Sequence, residues 1–347
     1  MQVHAAIIGL DRIGASIGLA LKRYQNQSRA EHTFTIIGSD TKGMPMKSAE
    51  KMGAVDNFNR ALLKATDNAD LVFVNVPYGE VAALYERLGP ELKPGAVVLD
   101  LSLLKQPVID LAAKHFRTNE QGKPLAYLVG ITPVISASGL YSGDMSAEAA
   151  RADLFDEAEF LVAPDSKCPS EAIALAEDVI RLMGGKSRFM DPVEHDGLIA
   201  ATEGLPALLG AALFYMLNRS EGWLELRRMV NPSLALAMQN LRHQSHEDLF
   251  ALLTQNRVNV QRHLESLIGT LDQVRDALAD PGEGGDFLKL EALLTQVQSE
   301  WEKWDVKRHS GRWEDVKEPE PLPGPLGSLG GLFIGRRGRG RSEDDES

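Results

Sequence analysis

The residues best placed to do chemistry stand at the front of the chain. Gly9-Leu10-Asp11-Arg12-Ile13-Gly14 follows the apolar run at residues 3–8 and opens a segment, 13–24, with apolar side chains at helical spacing. Two glycines five residues apart between a strand and a helix are what a dinucleotide's pyrophosphate requires. In the G-x-G-x-x-G spacing the first makes the tight turn, the middle one admits phosphate to the backbone, and the third packs helix on strand. Here the middle position is Asp11, which puts a Cβ and a negative charge where phosphate should approach. Arg12 beside it and the positive end of the helix act in the opposite sense. Gly9, Asp11, Arg12, Ile13 and Gly14 are therefore expected to line a dinucleotide, with Asp40 closing the set. An acid at the end of a second strand accepts bonds from the adenosine ribose hydroxyls and favours NAD over NADP. The competing role for Asp40 is an ordinary turn or helix cap.

These groups need a scaffold, and the sequence supplies one. Apolar runs at 3–8, 34–37, 71–76, 96–101 and 125–129 alternate with helical patterns. Continuous rather than alternating apolar runs read as strands covered on both faces, and strand–helix repetition reads as a parallel α/β sheet of Rossmann type. Further strands are expected at 160–163 and 187–190, with a helix from Pro169 to Met183 stopped by Gly184-Gly185. After Asp191-Pro192 the pattern becomes almost wholly helical, broken at Asn231-Pro232 and around Pro281. The expected fold is thus α/β plus all-α. A Rossmann-type dinucleotide-binding domain (1–192) precedes a helical, dimerising domain (193–317) and a disordered tail (318–347) rich in Pro, Gly and charge. Residues 205–217 are apolar nearly all round, so a core helix or a dimer interface is expected there.

Composition narrows the classes. In 347 residues, 37 Lys and Arg against 49 Asp and Glu give a net charge of −12, which speaks against nucleic acid or an anionic membrane as the partner. One cysteine, Cys168, permits no internal disulfide and fits a reducing compartment. Met1-Gln2-Val3-His4 lacks the basic start of a signal peptide, and no stretch reads as the ~20 apolar residues of a spanning helix. A cytoplasmic chain is expected. His195-Asp196 lacks partners at metal-ligand spacing and reads as a helix start; no metal site is expected.

Several segments together resemble the prephenate/arogenate dehydrogenase family. Ala69-Asp70-Leu71-Val72-Phe73-Val74-Asn75-Val76-Pro77 looks like its third strand, and Asp100-Leu101-Ser102-Leu103-Leu104-Lys105 is similar to its D-x-G-S-x-K. Val129-Gly130-Ile131-Thr132-Pro133 falls at its G-x-H-P, and Met190-Asp191-Pro192-Val193-Glu194-His195-Asp196 at its entry to the helical domain. Thr202-Glu203-Gly204-Leu205-Pro206-Ala207 falls at its S-H-L-P-H, Leu241-Arg242-His243 at its T-R, and Asn256 at a downstream Asn.

The resemblance implies coupled oxidation and decarboxylation of a ring carbinol, with NAD as cofactor and a homodimeric enzyme. The histidine that serves the substrate hydroxyl falls at Thr132, the supporting serine at Leu103, and the paired histidines at Gly204 and Ala207. Arg242 keeps its implied role, pairing with a substrate carboxylate. A positioned general base contributes about 10²–10⁴ in rate, so a threonine with no tuned partner predicts little turnover of the family type. Glu203 is the candidate substitute base. Two readings follow: an active nicotinamide-dependent oxidoreductase of the prephenate dehydrogenase type, or a non-catalytic dimeric relative that binds a nucleotide or metabolite as a scaffold.

Overall fold

The computed structural model describes residues 1–140, 142–282, 285, 287–311 and 313. The expected disordered tail lies outside the described residues. Among the described residues, eight strands form one sheet in the order β3-β2-β1-β4-β5-β6-β7-β8. They are β1 (Gln2–Ile8), β2 (Thr33–Ser39), β3 (Asn57–Phe58), β4 (Leu71–Val74), β5 (Val97–Asp100), β6 (Tyr127–Val134), β7 (Glu159–Pro164) and β8 (Lys186–Phe189). Helices α1 (Arg12–Gln25), α2 (Gly43–Lys51), α3 (Leu62–Ala65), α4 (Val81–Leu88), α5 (Gln106–His115) and α6 (Ser170–Leu182) connect them.

The apolar runs are continuous because alternate side chains feed two cores. Ile7, Phe73, Leu99 and Ile131 bury against α1 and α6 on one face. Ala6, Val72, Val74 and Val98 bury against α4 and α5 on the other. Every pair from β3 through β6 is parallel, as expected, but β7 runs antiparallel to β6. The reason is topological: short 3₁₀ turns, Ala137–Gly139 and Ala147–Ala149, stand between β6 and β7 in place of a crossover helix. Pairing with β7 also carries β6 past Val129, the expected end, to Val134. Thr132 is thereby a ladder residue opposite Leu161.

The chain reverses strand order between β1 and β4, the place where open α/β sheets bind ligands. Residues 9–14 leave β1 there. Gly9 has φ +91°, and a Cβ on it would lie 1.8 Å from the Asn75 carbonyl oxygen that follows β4. Gly14 lies so close to the turn that its Cβ would lie 1.9 Å from the Gly9 carbonyl oxygen. Both glycines are demanded by close backbone approach.

After β8 come α7 (Pro192–Ile199), a π-helical turn (Ala200–Gly204) and α8 (Leu205–Leu217). Then follow α9 (Trp223–Leu226), α10 (Pro232–Ala237), α11 (Asn240–His243), α12 (His246–Gln255), α13 (Arg257–Ala279) and α14 (Leu288–Ser310). Met1–Leu294 forms one compact unit that includes most of these helices with the sheet, and a second unit begins at Thr295.

Two expectations need correction. The segment Pro192–Leu217 runs as one 26-residue rod with hydropathy 1.6, long and apolar enough to cross a membrane by length and composition. The π turn joins what reads as two shorter helices, and Glu194, His195, Asp196 and Glu203 hide its length in the sequence. Its first turns are fastened to the sheet domain by His195 and Asp196, as described below. Nor is α8 a core helix of the chain. Only Ala207 and Gly210 are buried, while Tyr215 is 61% and Met216 59% exposed.

Candidate active site

The carboxyl ends of β5 and β6 are built around a buried lysine. Lys105 Nζ donates to the carbonyls of Asp100 (3.0 Å), Ser102 (2.7 Å) and Ile131 (2.9 Å). Burial pushes its pKa down to about 8, against the pull of Asp100 and Asp196, so the ammonium is charged at neutral pH. Tyr85 Oη donates to Asp100 Oδ2 (2.6 Å), and the amide and hydroxyl of Ser102 also donate to that carboxyl group. The hydroxyl beside Leu103 is thus spent on structure.

Gly130 makes room for this lysine. A Cβ there would lie 2.7 Å from Lys105 Cδ and 2.9 Å from the Ala163 carbonyl oxygen. Gly130→Ala is expected to cost about 1–3 kcal/mol by overpacking, seen as a fall of several degrees in Tm. An unchanged Tm would show that the lysine can move aside freely.

Beyond this frame Thr132 meets the helical segment. Thr132 Oγ1 lies 2.9 Å from His195 Nε2, and His195 Nδ1 lies 3.1 Å from Asp196 Oδ1. The amides of Lys105 and Gln106 donate to the two Asp196 oxygens at 2.7 and 3.0 Å. Asn256 Nδ2 donates to the Asp196 carbonyl (2.7 Å). The pair was expected merely to start a helix; that task falls to Asp191, whose side chain accepts from Val193 N and Glu194 N. His195 is fully buried. Burial above all, with the Lys105 charge, holds its pKa below the ordinary 6.5, against Asp196. The contact spans 63 residues of sequence, and no local pattern announces it; only the types His and Asp, adjacent on a helix, were there to be weighed.

The nucleotide turn is closed on itself. Asp11 caps α1, accepting from Ile13 N (2.8 Å), Gly14 N (3.1 Å) and Asn75 Nδ2 (2.7 Å). Arg12 N donates to the Met145 carbonyl (3.0 Å), Ala15 N to the Asp11 carbonyl (2.9 Å), and Gly9 N to the Ser39 carbonyl (2.8 Å). Asp40 accepts from Leu10 N (2.9 Å) and Lys42 N (2.8 Å), the turn-capping role. Asp11, read from sequence as an intrusion, is an N-cap of ordinary type. A dinucleotide therefore fits this turn in the placing of Gly9, Gly14 and Asp40, while the amides that would greet its pyrophosphate already have partners.

The Arg12 side chain is buried; its Nη1 donates to the Ser142 carbonyl at 3.5 Å, and among the described residues its Nε has no partner. Arg242, on α11, is exposed. Both guanidinium groups help hold Asp144 below its ordinary pKa, after the larger effect of bonds from Ser146. Both thus act on the loop that carries Asp144. Glu203 sits on the π turn, where burial raises its carboxyl pKa. No hydrogen bond joins it to Thr132 or Arg242 among the described residues. His243 and His246 are exposed. Burial pushes the Cys168 thiol up to about 11, away from thiolate reactivity. Among the described residues no group of three or more His, Cys, Asp or Glu is placed to hold a metal ion.

Residues 17–189 match the family described as prephenate dehydrogenase, nucleotide-binding domain. The match begins three residues beyond Gly14 and so omits the altered turn. The chain is 27% identical over 218 residues to a cyclohexadienyl dehydrogenase of Zymomonas mobilis, covering 63% of this chain and 68% of that one. It is 25% identical over 223 residues to a prephenate dehydrogenase of Bacillus subtilis, covering 64% of this chain and 55% of that one. Among solved structures, prephenate dehydrogenase of Aquifex aeolicus with hydroxyphenyl propionate and NAD+ shares the fold. The TM-score is 0.68 at 18% identity, over 87% of this chain and 98% of that one. Arogenate dehydrogenase of Synechocystis gives 0.61 at 20% identity, over 87% and 100%.

Proposed function

Because the chain belongs, through its nucleotide-binding half, to the prephenate dehydrogenase family, we propose that it is a nicotinamide-dependent oxidoreductase of cyclohexadienyl carboxylates. Prephenate and arogenate are the substrates to be tried, leading towards tyrosine. The observation that carries the reading is that the Gly9 and Gly14 turn, Asp40 and the half-buried Thr132 all lie along the carboxyl edge of the parallel strands. Bound at that edge, an oxidised nicotinamide supplies the hydride acceptor. Arg242 offers a guanidinium fork to a substrate carboxylate. Asp40, an acid at the end of β2, favours NAD over NADP.

The enzyme is read as a cytoplasmic homodimer. The exposed apolar side chains of α8, among them Leu209, Phe214, Tyr215 and Met216, support the pairing. The lone cysteine supports the compartment.

One observation favours the second reading, a non-catalytic relative: the nucleotide turn satisfies its own amides through Asp11 and Met145. Two measurements decide between them. Titration with NADH and NADPH, followed by nicotinamide fluorescence, shows whether the turn opens. Formation of NADH from prephenate or arogenate at about 1 s⁻¹, within the usual range of enzyme turnover, supports the first reading; binding without turnover supports the second. Arg242→Lys is expected to raise KM about tenfold by loss of the bidentate contact, an effect worth about 1.4 kcal/mol. An unchanged KM would remove the anchoring role.

A further inference from the structure

Oxidation of a carbinol needs a group that receives the hydroxyl proton, and a threonine alone is too weak a base at neutral pH. Resting on the oxidoreductase reading above, we propose that Thr132 is the catalytic hydroxyl that takes the substrate's proton. His195, fixed by Asp196, is the positioning residue that takes Thr132's own proton in return.

The geometry sets the direction of transfer. Both Asp196 oxygens are acceptors, each already receiving a backbone amide, so the ring nitrogen facing Asp196 is the one that carries hydrogen. Nε2 is then bare and accepts from the Thr132 hydroxyl at 2.9 Å. His195 is fully buried while Thr132 is half-buried, so a ligand reaches the imidazole through the hydroxyl. In the step, the carbinol O–H bond breaks and a new O–H bond forms on Thr132 Oγ1. The former Thr132 O–H bond breaks, and an N–H bond forms on His195 Nε2. The carbinol carbon becomes a carbonyl, and its hydrogen leaves with the bonding pair to an oxidised nicotinamide. The imidazolium formed lies against Asp196.

The charged and titratable groups that act on the ring are Asp196 on its own helix and Lys105 at the start of α5. Tyr78 lies near Asp196. Serine, histidine and carboxylate arranged in this order raise hydroxyl reactivity on unrelated folds, where geometry rather than sequence position defines the unit.

The test uses the full chain and four variants. With either acid as substrate, Thr132→Val and His195→Gln are each expected to lower kcat about 10²–10⁴-fold, the worth of a positioned base, with KM within about threefold. Thr132→Ser should restore most of kcat. The double variant should be no slower than either single one, because the groups act as a unit. The wild-type kcat should fall on the acid side as the ring charges, and His195→Gln should lose that limb. Retained kcat in Thr132→Val, beside an active wild type, overturns the relay and leaves the oxidoreductase reading standing. If the wild type forms no NADH, that reading fails, and nitrogen NMR of the ligand-free ring judges the pair instead. A neutral ring at pH 7 with its hydrogen on Nδ1, and an Nε2 signal moved by Thr132→Val, supports the relay. Hydrogen on Nε2 overturns it.

Discussion

Asp11→Gly is expected to tighten binding of NADH by about 10- to 100-fold, the equivalent of one charge-assisted hydrogen bond released to the ligand. In the wild type the Asp11 carboxylate occupies the amides of Ile13 and Gly14 and the Asn75 side-chain amide. A pyrophosphate must displace it and meet its charge as well. Glycine frees both backbone amides and restores the missing member of the fingerprint. The fold should tolerate the change, since glycine at an N-cap costs only a few tenths of a kcal/mol.

The pH dependence has a definite sign. Burial holds the Asp11 carboxyl above its ordinary 3.8, outweighing the bonds from Gly14, Asn75 and Ile13, with Asp40 adding to the rise. The group therefore neutralises sooner as pH falls, and wild-type affinity for NADH should climb on acidification through that raised value. The glycine variant should lack this climb. Equal affinities for the two proteins across the pH range would show that the carboxylate does not compete.

Lys105→Met is expected to have the largest effect on stability. Methionine keeps much of the stem's volume but leaves the carbonyls of Asp100, Ser102 and Ile131 buried without their donor. Each orphaned group costs about 1–3 kcal/mol, so the sum approaches the ~5–15 kcal/mol of a whole domain. Loss of the cooperative thermal transition, or a fall in Tm of about 10 °C or more, is expected in a melting curve followed by circular dichroism. A fall of only a degree or two would show that water or a neighbouring group replaces the ammonium. The neighbouring Asp100 carboxyl, raised by burial and relieved chiefly by Lys105, would lose its counter-charge in the same variant.

The strands were legible because a sheet buried on both faces leaves uninterrupted apolar runs, and β1, β4 and β5 show this plainly. The direction of β7 was not legible. It depends on what stands between β6 and β7, and short 3₁₀ turns leave no periodic trace. The two-residue β3 is too brief to carry a pattern. Within the site, Gly9, Gly14 and Asp40 were legible as a spacing. Asp11 was misjudged because the phosphate rule was applied without the capping rule, although aspartate just before a helix is itself a start signal. The Thr132–His195 contact lay beyond sequence reasoning: it arises where the extended end of β6 meets the first turn of α7, and both facts come from tertiary pairing.

If Thr132 serves as the proposed relay, the antiparallel return of β7 bears on which substrates it can serve. By pairing through Val134, it holds the hydroxyl-bearing residue in register opposite Leu161. Such a group cannot lean after a misplaced guest. Discrimination must then fall to the fixed shape of the residues around it, and a molecule seated even slightly off would go unconverted.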